Sequence, residues 1–181
     1  MTPKIGPREL VHENPFHRIY RVVAQFDGFQ KEYFVNTYGA RVGLVIADGN
    51  KILFVRQYRL LVHGLTWELP GGKVHENETP EAAARREALE EAGLECDALR
   101  PLIFAQPGVD TFENPTSVFY TESFEQISEV KTDPREVVER VWLPLPRALA
   151  MIFQREIVDS MTVVGLLAYD SLKKNRELAP R

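Results

Sequence analysis

The sequence predicts an α/β fold: a mixed β-sheet sandwiched between helices, preceded by an N-terminal β-hairpin extension. Turn chemistry gives the first observation. RIYRVVAQF (18–26) and KEYFVNTY (31–38) flank Asp27-Gly28, and ARVGLVIA (40–47) and KILFVRQYR (51–59) flank Asp48-Gly49-Asn50. Asp-Gly between β-branched and aromatic runs signals a hairpin, and consecutive hairpins argue for a mixed or antiparallel sheet rather than a doubly wound one. The element order, three strands, a helix, three strands and two helices, is the second. The third is size: 181 residues, 44% hydrophobic and 27% charged, suit one ordinary domain with a real core.

Each element has its own signal. Residues 1–15 carry three prolines and no periodicity, and read as an irregular lead-in. LTWELPGG (65–72) reads as a short strand stopped by Pro70 and the two glycines. A helix begins at Thr79-Pro80, with a capping hydroxyl, proline at the first position and Glu81 in the first turn; Gly93 stops it. Strands follow at 98–105, 117–123 and 137–143. A helix is expected over RALAMIFQRE (147–156), then a last one capped by Asp159 or Ser160, with about eight frayed residues at the end. The division expected is 1–38, lead-in and hairpin, and 39–181, the main domain.

Composition excludes several classes. The net charge of −4 gives no general attraction to nucleic acid or anionic lipid. A single cysteine, Cys96, allows no internal disulfide and no multi-cysteine zinc pattern. MTPKIGPREL has no signal-type apolar segment, and no run reaches the roughly 18 apolar residues of a membrane span. The expectation is a soluble protein of a reducing cytoplasm. His12, His17, His63 and His75 show no ligand spacing.

The informative stretch is GGKVHENETPEAAARREALEEAGL (71–94). At about 100° per residue, Glu90 and Glu91 fall to either side of Glu87 within an arc of about 100°. Ala83 and Ala84 share that face one turn earlier, small enough to leave room for a ligand. Ala82, Ala88, Leu89 and Ala92 read as the opposite, buried stripe. Like charges at these spacings repel, although Glu81–Arg85 and Arg86–Glu90 also suit ordinary helical ion pairs. Gly71-Gly72 before the helix allows close backbone approach, and clustered carboxylates with a main-chain carbonyl are hard oxygen donors suited to Mg2+ or Mn2+.

Gly72, Glu78 and the run Arg86-Glu87-Ala88-Leu89-Glu90-Glu91-Ala92-Gly93-Leu94 resemble the Nudix box, Gx5Ex7REUxEExGU, with every fixed letter present and Ala88 where a larger aliphatic is usual. The resemblance implies a Nudix α/β/α sandwich and metal-dependent hydrolysis of a nucleoside diphosphate linked to another moiety. It implies Glu87, Glu90 and Glu91 as metal ligands with the Gly71 carbonyl, Arg86 orienting the glutamates, and Glu78 tying loop to helix. The general base would be a box glutamate or one from a late loop. KTDPREVVERVWLPL (131–145) is similar to the late acidic segment of the ADP-ribose pyrophosphatase branch, which puts forward Glu136, with Glu139, Asp133 and Glu113 behind it.

NPFHRIYRVV, VRQYR, WELPGG and VWLPLPRALAMI also resemble that branch, which acts on ADP-ribose and other nucleoside diphosphate sugars. By the same resemblance Arg59 and Arg56 would meet the diphosphate, and Glu68 would aid a ribose contact or a second metal. The N-terminal strands would exchange in a homodimer, offering Phe16, Tyr20, Phe26 or Phe29 to the base. The branch's marker proline corresponds to Pro107, although Pro107-Gly108 lies a little close to the box. The alternatives are a triphosphate-cleansing Nudix enzyme and a non-catalytic nucleotide-sensing module.

Overall fold

The computed structural model, which describes residues 2–127, 137 and 139–178, has the expected mixed α/β class. Glu136 and Asp133 lie outside the described residues. In chain order the strands are β1 (Lys4–Ile5), β2 (Glu9–Glu13), β3 (Arg18–Phe26), β4 (Phe29–Thr37), β5 (Arg41–Asp48), β6 (Lys51–Arg59), β7 (Gly64–Glu68), β8 (Gly71–Lys73), β9 (Leu94–Cys96), β10 (Arg100–Ala105), β11 (Phe112–Glu113), β12 (Thr116–Thr121), β13 (Phe124–Gln126) and β14 (Glu139–Pro144). The helices are α1 (Pro80–Glu87), α2 (Leu145–Phe153) and α3 (Ser160–Leu178). None of the described helices is long and apolar enough to cross a membrane. The chain divides into two units, Met1–Ala40 with Ala105–Pro115, and Arg41–Phe104 with Thr116–Arg181.

The smaller unit is built on the β3–β4 hairpin, which pairs from Arg18↔Thr37 to Phe26↔Phe29. Its two-residue turn needs the positive φ of Gly28, 84°. The lead-in is not irregular: β1 and β2 both pair antiparallel with β3. Prolines flank these short strands instead of interrupting them, which is where an edge strand tolerates proline. β11 adds in parallel to β4. Arg8 holds Glu113 by two hydrogen bonds of 2.9 and 2.8 Å, and Thr37 Oγ1 donates a third of 2.6 Å.

The larger unit has helices on both faces of one sheet, ordered β10-β12-β5-β6-β14, with β7 on β6 and β8 on β5. Neighbouring residues of a strand face opposite ways, so a sheet covered on both sides carries near-continuous apolar runs. Residues 42–47 of β5 are all buried accordingly. Val42, Leu44 and Ile46 pack with Ala83, Ala84, Ala88 and Ala92 of the acidic helix. Val45 and Ala47 pack with Leu145 and Met151 of α2 and Leu166 and Tyr169 of α3.

Two details place the site. β5 and β6 form only the end of a hairpin, Ala47↔Ile52 and Asp48↔Lys51. Beyond it β5 turns to β8, with Val42↔Gly72 and Gly43↔Gly71, and the Leu44 amide donates to the Pro70 carbonyl at 2.9 Å. Gly71 and Gly72 therefore do not simply end a strand; they make a new one after Pro70. A Cβ on Gly71 would lie 2.2 Å from the Val42 carbonyl oxygen, so only glycine fits. At α3, Asp159 Oδ2 accepts from the Thr162 amide at 2.8 Å, and the Leu69 amide donates to Thr162 Oγ1 at 3.0 Å. That cap fixes the β7–β8 connection. α2 begins two residues before the expected start, and α3 runs on to Leu178 where fraying was expected.

Small residues on the acidic helix let it lie close to β5: Ala83, Ala84 and Ala88 are fully buried. Ala84→Leu is expected to lower stability by about 1–3 kcal/mol through overpacking, read as a fall in the denaturant midpoint at unchanged slope.

Candidate active site

The candidate site forms where the loop after β8 becomes α1. Thr79 caps the helix, its hydroxyl accepting from the Ala82 amide at 3.1 Å, with Pro80 next. From Ala88 to Ala92 the helix widens into a π turn, and Gly93 closes it in the left-handed region at φ 68°. π turns are uncommon and concentrate at functional sites.

The helix face agrees with the periodicity only in part: Ala88 and Ala92 are buried as expected. Ala83 and Ala84 are core residues, whereas Ala82 and Leu89 are exposed. The buried set is Ala83, Ala84, Glu87, Ala88, Glu91 and Ala92. Apolar character marked the packing side in the sequence, but Glu87 and Glu91 themselves turn toward the sheet, beside the glycines and β6.

Arg86 organises the loop. Its Nε and Nη2 donate to the two oxygens of Glu78 at 2.9 and 3.1 Å. Nη2 also reaches the Lys73 carbonyl at 3.0 Å, and Nη1 donates to Glu87 Oε1 at 2.8 Å and Glu90 Oε2 at 2.9 Å. The His75 amide adds 3.0 Å to Glu78 Oε2. Hydrogen bonds from Arg86 and then His75 hold the Glu78 carboxyl down at about 2.

Glu87 and Glu91 are in a different state. Burial pushes Glu87 upward, and the hydrogen bond and charge of Arg86 only partly offset it. A Cβ on Gly72 would sit 2.1 Å from Glu87 Oε1, so the glycine forms a cradle for that carboxylate. Glu91 is 7% exposed and accepts from the Gly71 amide at 2.8 Å and from the Gln57 side-chain amide. Burial lifts its carboxyl to about 7; the Gly71 amide opposes this and the Glu87 charge adds to it.

β6 and β7 supply the next layer. Glu68 is buried, yet bidentate pairing with Arg59 at 2.8 and 2.5 Å and a hydrogen bond from Thr66 compensate it. Burial raises the Glu68 carboxyl, but Arg59 and Thr66 outweigh that and bring it below the usual value. Arg56 stacks over Trp67 at 4.3 Å and pairs with Glu139 at 3.2 Å. Thus Gly71, Arg86, Glu87, Glu90 and Glu91 come together with Glu68 and Arg59 in one network. Phe16, Tyr20 and Pro107 belong to the N-terminal unit, where Phe16 is 78% exposed, Tyr20 lies 5.7 Å under Arg8 and Pro107 is exposed. The oxygens of Glu113 are occupied by Arg8 and Thr37.

Sequence reading missed Gln57, Thr66 and Arg140, whose Nε donates to the Glu91 carbonyl at 2.7 Å. The available signal was a polar Gln57 in the apolar run KILFVRQYR. The donor set suits a hard divalent cation: carboxylates and a backbone carbonyl, with Gly72 leaving the space. As the side chains stand, no three His, Cys, Asp or Glu among the described residues converge into a metal-holding group; Arg86, Gly71 and Gln57 hold the carboxylates instead.

The raised Glu91 carboxyl has a signed consequence. Its folded-state value, about 7, exceeds the unfolded value of about 4.3. The folded state therefore binds the extra proton between those pH values, and stability falls as pH rises through the window. Depressed carboxyls such as Glu68 act below it. Metal-free protein is expected to be more stable at pH 5.5 than at pH 8, by about 2 kcal/mol from this group. Denaturant titrations at both pH values check this, and Glu91→Gln should remove the difference.

The NUDIX domain description matches residues 37–161. A CMP-5'-(N-acetyl-N-hydroxy-3-aminopropyl)phosphonate hydrolase of Streptomyces rubellomurinus is 29% identical over 161 residues, 88% of this chain and 78% of that protein. An ADP-ribose pyrophosphatase of Bacillus subtilis is 30% identical over 139 residues, 75% of this chain and 74% of that one. A crystal structure described as an ADP compounds hydrolase superposes with a TM-score of 0.84 at 18% identity, covering 97% of this chain and 96% of that one, which shows a shared fold. With the box intact and the domain match spanning most of its length, the chain belongs to the Nudix hydrolase family.

Proposed function

We propose that this protein is a Mg2+-dependent pyrophosphatase that cleaves ADP-ribose, or a related nucleoside diphosphate sugar, into a nucleoside monophosphate and a sugar phosphate. The observation that carries the reading is Glu91, a buried carboxylate with neutral hydrogen-bond donors on both oxygens, next to Glu87 in its glycine cradle. The relatives' names support the substrate class, since a CMP-linked phosphonate and ADP-ribose both carry a nucleoside 5'-phosphate.

Glu87, Glu90, Glu91 and the Gly71 carbonyl would hold the divalent cation, with Mn2+ as the alternative to Mg2+. When bound, it supplies screening of the phosphate charge and a more acidic water. The chain's own residues do the rest. Arg86 keeps Glu87 and Glu90 in place through charge-assisted hydrogen bonds. Water adds across the P–O–P link: its oxygen joins one phosphorus, the bridging bond breaks and the second phosphate leaves. Glu136 takes the water's proton in this reading, with Glu87 the alternative base. Arg59, its side chain 43% exposed, meets the diphosphate with Arg56, while Glu68 fixes Arg59. The reading includes a homodimer through the N-terminal unit, in which exposed Phe16 and neighbouring Tyr20 contact the base and Pro107 belongs to the sugar-side loop.

A phosphate-release panel with ADP-ribose, GDP-mannose, UDP-glucose and 8-oxo-dGTP tests the proposal, with Mg2+ and with chelator. Mg2+-dependent preference for a nucleotide sugar is expected; preference for the triphosphate overturns the substrate class, and silence across the panel overturns the enzymatic reading. Glu91→Gln should lower kcat by more than the 10–100-fold typical of losing a supporting residue. Gly72→Ala, which displaces Glu87, should cost about 100-fold in kcat.

A further inference from the structure

We infer that Gln57 is a positioning residue for Glu91, holding with a neutral amide the carboxylate that is to receive the divalent cation. The inference rests on the functional reading above and adds a residue to the same site. Gln57 lies on β6, 6% exposed, opposite Thr66 in the β6–β7 register. Its Nε2 donates to Glu91 Oε1 while the Gly71 amide donates to Oε2. Its own backbone carbonyl accepts from Thr66 Oγ1 at 3.2 Å.

The chemistry of the donor is the point. Glu78, Glu87 and Glu90 all accept from the Arg86 guanidinium. The two oxygens of Glu91 accept from amides, that of the Gln57 side chain and that of the Gly71 backbone. A guanidinium there would close a bidentate ion pair and compete with a metal for the same oxygens. An amide orients the carboxylate with a dipole and leaves its negative charge uncancelled. β6 also pairs with β14 at Val55↔Arg140, and Arg140 holds the Glu91 carbonyl at 2.7 Å, so adjacent strands fix the residue by side chain and backbone. A buried glutamine is costly unless its hydrogen bonds are made, and packing at this position of an apolar strand needs none. Orienting Glu91 accounts for it.

Mn2+ is the probe, its free concentration followed by electron paramagnetic resonance in titrations of wild type, Gln57→Met and Gln57→Asn. Methionine keeps the volume and removes the donor; asparagine keeps the amide one methylene short. Folding is checked by near-ultraviolet circular dichroism. Both variants are expected to bind Mn2+ about 10–100-fold more weakly, with kcat reduced and KM little changed. If Gln57→Met does not fold, Gln57→Asn alone decides. Wild-type Mn2+ affinity in a folded variant overturns the role of Gln57 while leaving the functional reading intact. Absence of Mn2+ binding by wild type overturns both.

Discussion

The arrangement depends on how negative charge is distributed over one short helix. Carboxylates crowd around it, and a single guanidinium, that of Arg86, serves Glu78, Glu87 and Glu90 while also reaching the Lys73 carbonyl. Arg59 serves Glu68. Glu91 receives amide hydrogen bonds instead. Like charges held this close would push the helix away from its strand, so the arginine contacts are what allow the loop and helix to keep their place. The charge left on Glu91 is then a local excess in a poorly solvated place, which is the electrostatic requirement of a site for a small, hard cation.

Backbone packing makes this possible. The chain breaks its ladder at Pro70, resumes as β8 and lies so near β5 that Gly71 has no space for a Cβ, while the Glu87 carboxylate fills the space beside Gly72. The same closeness brings the alanine-rich side of the helix against Val42, Leu44 and Ile46. Small residues thus do two things at once: they bury the helix and carry Glu87 and Glu91 inward with it. The Asp159–Thr162–Leu69 hydrogen bonds hold the approach to β8 from the opposite layer.

Much of this was legible in the sequence, for identifiable reasons. The hairpin turn at Asp27-Gly28, the Thr79-Pro80 helix start and the Gly93 stop are local, and local chemistry decided them. The box supplied the residue types of the site. What was not legible depended on partners remote in the chain. β1 and β2 are exposed edge strands whose order comes from β3. The short β9–β13 pair joins segments about thirty residues apart. Hydrophobic periodicity misplaces part of the helix face because Glu87 and Glu91 share the packed side with Ala83, Ala84, Ala88 and Ala92. Arg59 looked like a free phosphate-binding cation until its pairing with Glu68 was seen, and Gln57 carried no motif at all.

Side-chain carboxyl NMR of 13C-glutamate-labelled protein tests the uncompensated Glu91 most directly. In metal-free protein one glutamate, assigned by its loss in Glu91→Gln, should titrate at about 7, and saturating Mg2+ should bring that midpoint below the ordinary value of about 4.3. A Glu91 that titrates at the ordinary value without metal, or keeps its raised midpoint when Mg2+ is added, would contradict the account.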